Sequence, residues 1–449
     1  MKKTCIVVVV AAFLFLPKKE TVAQPAAGRT IANYIMEVPD SSTHKKAHKG
    51  AALCFFETQE GRARALVGAP GLNNNGNKGA GGALEVSYQS QSGETGAEGF
   101  RAAYAEYTRT QGYAGKKRFA ASNLFVFHIN DEKYVGDMAL GKGGSLVAVP
   151  MSSNGKLDTI ALPTNIPANK RTLEGKGAWA HDLDGDGTDE ILFGSPKKNE
   201  LRWYSLNRTA SDSIIFTEFG VIRGASTLPR NAGFGAAITG MGDVDGDGNT
   251  DIAVGVPRRN QVAILLLNHD GSVKSESYIS LPAGAVHPRA ELAYSLATIP
   301  DFTGDGVREI LAGAPGINDV FVLSAVDTLI EFRRMSNLLE MPSFGRKDGF
   351  GSALAAKDDG DTPREILVGA EGTSTIFGKK SGAVYLAQLF SMGAPETVMP
   401  KSEFFSGGFI PRDEVAGLLI VAPNPTSGLV KYQLDEDRKS TRLNSSHQI

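Results

Sequence analysis

The sequence predicts an all-β protein, specifically a β-propeller of six or seven four-stranded blades. Two observations lead there. A short β-run ending in Gly, a small residue and usually Pro recurs along the chain, and each clear copy sits inside the same three-strand grammar. A third observation, an acidic loop before several of these runs, points to metal. The 449 residues include 41% hydrophobic residues, 52 Gly and 2 Cys. That is enough apolar matter for a packed core, with many turns and no disulfide framework.

The recurring run occupies 64–70, 190–196, 251–257, 309–315 and 365–370. The last four copies start 61, 58 and 56 residues apart, and the 126-residue gap before them equals two periods. A degenerate unit is therefore expected near 119–160, where 124–129 and 145–149 supply strands. In each clear unit a small-residue strand comes first (50–53, 177–180, 234–238, 294–297, 350–354). The Gly-small-Pro strand follows, and then a β-branched or aromatic one (83–88, 201–204, 262–267, 320–323, 384–387). The apolar runs are 4–7 residues long and bounded by Gly, Pro, Asn or Asp, which is strand length rather than helix length. Ile214-Ile215-Phe216 and Ser277-Tyr278-Ile279 are candidates for a fourth, outer strand. A unit of under about 60 residues without disulfides is marginal alone, so stacking around an axis is expected, with Gly and Ala where inner strands crowd together.

Phe234-Gly235, Phe350-Gly351, Gly68-Ala69-Pro70 and Gly313-Ala314-Pro315 then match a known pattern letter for letter. With the acidic loop between, they resemble the FG-GAP repeat of integrin α propellers and many bacterial surface proteins. Gly194-Ser195-Pro196, Gly255-Val256-Pro257 and Ala293-Tyr294 are drifted copies. The resemblance covers about 50–390. Six units are countable and the family commonly closes with seven, so 25–49 or 393–420 could complete another blade.

Three loops carry the chemistry. Asp243, Asp245, Asp247 and Asp251 stand at positions one, three, five and nine of a tight loop, with Gly248 at six and the Asn249 carbonyl at seven. Alternate carboxylates in a turn converge, a glycine permits the reversal, and calcium takes six to eight oxygens. Acids this close repel one another without a cation. Asp182, Asp184, Asp186, Thr188 and Glu190 repeat the arrangement, with Asp189 beside the last acid. Asp301, Thr303, Asp305, Val307 and Glu309 repeat it with a neutral oxygen at position three. A fourth loop, 357–365, has Lys357 at position one and Thr362 where Gly is needed, so its ammonium is expected to replace the ion. In the first unit Glu60 and Arg64 take positions five and nine, and no metal is expected there. About three Ca2+ ions are predicted, with the position-nine acids binding bidentately.

No catalytic constellation is visible. The seven histidines form no zinc-like cluster, and neither a nucleophile elbow nor a phosphate loop occurs. The balance of Lys+Arg 47 against Asp+Glu 49 supplies no basic field for nucleic acid. The long segment 89–117 places Phe100, Tyr104 and Tyr107 at helical spacing among Arg101, Arg109, Lys116 and Lys117. It reads either as a short helix on the blade rim or as a ligand-contacting excursion.

The expected organisation is a signal peptide over 1–23, a linker or blade-closing strand over 24–49, and the propeller over 50–395. A linker or closing strand over 396–420 follows. Removing 1–23 shifts the formal charge from −2 to −5 and leaves Cys54 as the sole thiol. Residues 421–436 resemble the start of a type IX secretion C-terminal sorting domain, cut short before a disordered or artefactual tail at 437–449. The expected function is a secreted or cell-surface, calcium-binding, monomeric adhesion-type module for an extracellular protein or glycan, not an enzyme and without a transmembrane span in the mature chain. The alternative is a calcium-dependent, lyase-like polysaccharide-degrading enzyme on the same propeller, and a third reading is a structural spacer.

Overall fold

The computed structural model describes residues 34–37 and, with interruptions in the loops, 46–400. The expected signal peptide, sorting segment and tail lie outside the described residues. The chain begins with β1 (Tyr34–Glu37). Blade one is β2 (Ala52–Gln59), β3 (Arg62–Ala69), β4 (Gly82–Gln89) and β5 (Arg101–Tyr107). Blade two is β6 (Phe119–Ile129), β7 (Glu132–Leu140), β8 (Gly144–Pro150) and β9 (Leu162–Ala168). Blade three is β10 (Ala178–His181), β11 (Glu190–Ser195), β12 (Glu200–Arg208) and β13 (Ile214–Arg223). Its outer strand β13 meets β9 of blade two in parallel at Ile214↔Thr164, joining the two blades into one eight-stranded sheet. Blade four is β14 (Ile238–Gly242), β15 (Asp251–Val256), β16 (Gln261–Leu267) and β17 (Val273–Ser280). Blade five is β18 (Leu296–Ile299), β19 (Glu309–Ala314), β20 (Asp319–Val326) and β21 (Leu329–Arg334). Blade six is β22 (Phe350–Ala356), β23 (Arg364–Ala370) and β24 (Ala383–Leu389), completed by β1 from the other end of the chain. Lastly β25 (Thr397–Pro400) pairs with β21 as a fifth strand of blade five.

These blades form a closed β-propeller. The inner strands β2, β6, β10, β14, β18 and β22 touch in that order, and β22 touches β2. Together they line an axial cavity of about 130 Å³. The hydrophobic core is divided among the seams between blades, because each sheet has two apolar faces and must cover both. Leu53, Val67 and Leu84 of blade one meet Leu367, Val384 and Leu386 of blade six in the closing seam. Phe127 and Tyr134 meet Phe193 and Phe216 between blades two and three. The ring therefore closes with six blades among the described residues. Segment 34–37 completes blade six through the antiparallel ladder Tyr34↔Gln388 to Glu37↔Tyr385, and 397–400 widens blade five.

Close backbone approach explains the repeated glycines. A Cβ on Gly194 would stand 1.8 Å from the Gly235 carbonyl oxygen of the next blade, and one on Gly369 would stand 2.0 Å from that of Gly50. A Cβ on Gly255 would stand 2.1 Å from the Ala293 oxygen. Gly50, Gly235 and Gly351 have φ of 81°, 89° and 89°, and Ala293 shares their left-handed conformation at 64°. Leu292-Ala293, not Ala293-Tyr294, thus takes the Phe-Gly place in blade five, with Leu292 as buried as Phe234 and Phe350. Tyr294, one residue further on, imitates the missing aromatic in the sequence but does not occupy its place.

Two further expectations change. Residues 101–107 form strand β5, paired Val86↔Tyr104 and Ala83↔Tyr107 on β4, and not a rim helix. Pairing supplies the open edge of β4 with hydrogen-bond partners, which outweighs a chance helical spacing of aromatics. The degenerate second unit keeps four strands, but its first two are joined by the hairpin residues Asn130 and Asp131, at φ 48° and 61°. Such a pair of left-handed residues makes a tight turn, so no acidic loop fits there.

Candidate metal centres

All three acidic loops connect the first strand of a blade to its second, so they lie at one end of the ring. In the loop between β10 and β11, Asp182 accepts hydrogen bonds from the Gly185 and Gly187 N–H groups at 2.7 and 2.9 Å. Asp184 and Asp186 accept from the Asp186 and Thr188 N–H groups at 3.2 and 2.7 Å. These bonds wind the turn and bring oxygens of Asp182, Asp184 and Glu190 within 4.8 Å of one another. The blade-two hairpin braces the loop: the Asp131 N–H donates to the Gly187 carbonyl at 2.9 Å and the Asn130 N–H to the Thr188 hydroxyl at 3.2 Å. Asp189, beside the last acid, is engaged elsewhere, accepting from the His128 backbone N–H at 2.6 Å.

The loop between β14 and β15 has the same winding. Asp243 accepts from the Gly246, Asp247 and Gly248 N–H groups at 2.7, 3.0 and 2.8 Å. Here the converging acids are Asp243, Asp245 and Asp247. The Lys274 ammonium reaches in from β17, 2.7 Å from both Asp245 and Asp247, so a cation already bridges positions three and five. That contact holds the Asp247 carboxyl below its usual range. Asp251 is fully buried, and each of its oxygens accepts a backbone N–H, from Val244 at 2.8 Å and Leu267 at 2.9 Å. It lies outside the three-acid grouping, in contrast to Glu190 in the neighbouring blade.

In the loop between β18 and β19, Asp301 accepts from the Gly306 N–H at 2.8 Å, and Glu309 accepts from the N–H groups of Phe302 and Thr303 at 2.9 and 3.0 Å. The buried Thr303 hydroxyl oxygen has no hydrogen-bond partner among the described residues. An orphaned oxygen at position three is what an ion-binding loop requires, because an inward ligand atom otherwise loses water for nothing. Asp305 lies outside the described residues, as do Glu60, Asp359 and Asp361. Burial pushes the position-nine acids Glu190, Asp251 and Glu309 above the usual carboxylate range, so each calls for a positive partner.

The fourth loop shows what such a partner does. Glu365 is 2% exposed, and the Lys357 Nζ, itself on a 4% exposed side chain, stands 3.8 Å from its carboxylate. The Gln388 amide donates to the other Glu365 oxygen at 2.6 Å. A fixed ammonium occupies position one where the other loops have Asp. Replacing Lys357 by Met strands Glu365 without charge compensation and is expected to lower unfolding free energy by about 3–5 kcal/mol. Urea denaturation measures this, and Lys357→Arg should recover most of it. In blade one, Arg64 at position nine is held by Glu85 at 2.7 and 2.8 Å, a closed ion pair.

With this geometry, known proteins with similar sequences become informative. The FG-GAP-like repeat family matches residues 243–312, a stretch that begins at the second acidic loop and includes the third. Human integrin alpha-8 is 28% identical over 158 residues, which is 32% of this chain and 15% of the relative. Integrin alpha-PS2 of Drosophila melanogaster is 26% identical over 254 residues, 47% of this chain and 18% of the relative. Human integrin alpha-IIb is 28% identical over 162 residues, 32% and 15% of the respective chains. The aligned region spans less than a fifth of the length of these relatives. The chain therefore carries an FG-GAP-like repeat in a propeller and resembles integrin α chains over that region.

Proposed function

We propose that this chain is a secreted or cell-surface propeller of adhesion type, stapled by about three calcium ions, that binds an extracellular protein or glycan without catalysing a reaction. The observation that carries the reading is the contrast among the four loops. One buries its final acid beside a fixed ammonium, and the other three replace that ammonium with Asp182, Asp243 and Asp301.

Asp182, Asp184, Asp186, the Thr188 carbonyl and Glu190 would hold the first ion. Asp243, Asp245, Asp247, the Asn249 carbonyl and Asp251 would hold the second. Asp301, Thr303, Asp305, the Val307 carbonyl and Glu309 would hold the third. Bound calcium supplies two positive charges and a demand for oxygen ligands. The protein's part is to prewind each loop through its first aspartate and to anchor its last acid on the second strand. Lys274 must swing from Asp245 and Asp247 for the second ion to enter.

The extracellular assignment is supported by the resemblance to integrin α chains and by the apolar run near the N-terminus. Among the described residues no helix is long and apolar enough to cross a membrane. Calorimetric titration of calcium into the chelator-treated full chain tests the metal count. Three equivalents are expected, and one should vanish in each of Asp184→Asn, Asp245→Asn and Thr303→Val. No heat beyond that of a magnesium blank would overturn the calcium reading. Incubation with a polysaccharide panel should leave chain lengths unchanged, whereas new unsaturated ends would install the lyase reading instead.

A further inference from the structure

The end of the ring that carries the acidic loops also holds a cleft of about 420 Å³. This lies within the range of about 300–1,000 Å³ expected of small-molecule sites. The cleft crosses four consecutive blades. Trp179 and His181 come from blade three, Thr239 from blade four, Thr298 and Arg308 from blade five, and Asp358 from blade six.

Three features define what fits. The Trp179 and His181 rings stack, with centroids 5.1 Å apart and planes within 14°, so each covers a face of the other and the aromatic wall is the outer face of a single ring backed by its neighbour. The indole lies across Gly240, where a Cβ would come within 2.9 Å of Nε1. The opposite side is a prebuilt polar network. Arg308 donates to Asp358 at 2.6 Å and to the Thr298 hydroxyl at 3.3 Å, and that hydroxyl donates to the Gly240 carbonyl at 2.9 Å. Arg308 and Asp358 neutralise each other while keeping further N–H donors and a second carboxylate oxygen. Finally, Gly242, Ala297 and Ala356 add only small side chains to the lining.

A simple anion would have to compete with Asp358 for Arg308, and a simple cation with Arg308 for Asp358. An uncharged ligand with one flat C–H face and a rim of groups that both donate and accept matches every element at once. The C–H face lies on the aromatic wall and the hydroxyls engage the arginine–carboxylate pair and the threonines. We propose that this cleft binds one neutral pyranose ring of an extracellular glycan. The inference rests on the reading of the chain as a binding module and names the ligand class.

The test uses the full chain with calcium and four probes: the methyl glycosides of glucose, galactose, mannose and N-acetylglucosamine. The sequence has 2 Trp, so binding beside Trp179 should change the intrinsic fluorescence saturably with at least one glycoside, and titration calorimetry measures the same binding in the parent and the variants. Asp358→Ala alters a side chain that is 63% exposed, and Trp179→Phe retains an aromatic body against Gly240. Each is expected to weaken binding tenfold or more with the melting temperature unchanged. The inference is overturned if no glycoside binds, or if one binds both variants as tightly as the parent. Adhesion of the parent to gelatin-coated wells separates the two levels. Adhesion to gelatin without glycoside binding sinks the pyranose site and spares the adhesion reading, and failure on both counts removes both.

Discussion

Stripping divalent cations from the full chain with excess chelator is expected to lower its melting temperature by about 15 °C. At ligand a hundredfold above its dissociation constant, each site contributes about 2.7 kcal/mol, so three contribute about 8 kcal/mol. For a protein of this size each kcal/mol shifts melting by about 2 °C. The effect is large because no disulfide staples the ring among the described residues, whose one cysteine, Cys54, is free. It also acts where the charge is least tolerable. Without an ion, burial penalises the ionised forms of Asp251, Glu190 and Glu309, which sit at the start of the second strand of three successive blades. The pH dependence follows with its sign. An acid whose folded pKa is raised holds its proton longer in the folded state, so the chelated protein gains stability as pH falls from 7 toward the ordinary carboxylate range of about 4. The calcium-loaded protein instead loses stability over that interval as protons compete for its ligands. The gap between the two melting curves should therefore narrow on acidification. Scanning calorimetry with and without chelator at two pH values measures it. Superimposable melts at pH 7 would remove the ions from the account of stability.

How much of this was legible in the sequence depended on whether a residue answers to a local or a distant constraint. Gly194, Gly255, Gly313 and Gly369 repeat because each meets a backbone carbonyl of the next blade, and that repeated demand made the propeller readable. The acidic loops were readable because converging oxygens require acids at fixed spacing. The long-range elements were not. Strand β1 pairs with residues more than three hundred positions away, so although 24–49 reads as a possible closing strand, nothing in Tyr34–Glu37 marks which blade it joins. Tyr104 and Tyr107 mimicked a helix, although the open edge of β4 decided their structure, and Phe100 lies outside the described residues. Lys274 on β17, reaching Asp245 and Asp247, leaves no local motif. The cleft is less legible still, because Trp179, Thr298, Arg308 and Asp358 come from separate blades and become neighbours only when the ring closes. Lys357 and its position-nine partner Glu365 were readable from the loop grammar, but the supporting Gln388 required the fold.

Replacing Gly369 by Ala should open the ring at its closing seam, at a cost of about 3 kcal/mol or more. The added methyl carbon would stand 2.0 Å from the Gly50 carbonyl oxygen and 3.0 Å from the Gly50 carbonyl carbon, so the obstacle is backbone and no side chain can swing aside. Gly50 itself is at φ 81° and donates its N–H to the Gly68 carbonyl at 2.9 Å, which anchors it to blade one. Ser352 reaches the same Gly50 oxygen from blade six at 3.4 Å, so the contact is shared by both sides of the seam. Relief requires blades one and six to separate, exposing Leu53, Val67, Leu367 and Leu386. The same substitution at Gly220 is the control, because its Cβ would meet Trp203 at an ordinary 3.4 Å and should be nearly neutral. Cys54 on β2 is buried in the seam with blade two, against Leu124, Val135 and Val147, so its labelling reports unfolding of the whole ring and not the closing seam alone. Burial pushes its thiol up to about 12, so in a Cys5→Ser background the intact ring should react with iodoacetamide only through opening. Gly369→Ala is expected to raise that reaction rate at least a hundredfold at 25 °C, in line with about 3 kcal/mol of opening free energy. Equal labelling rates in Gly369→Ala and Gly220→Ala would mean that the first and last blades are not locked against each other by this contact.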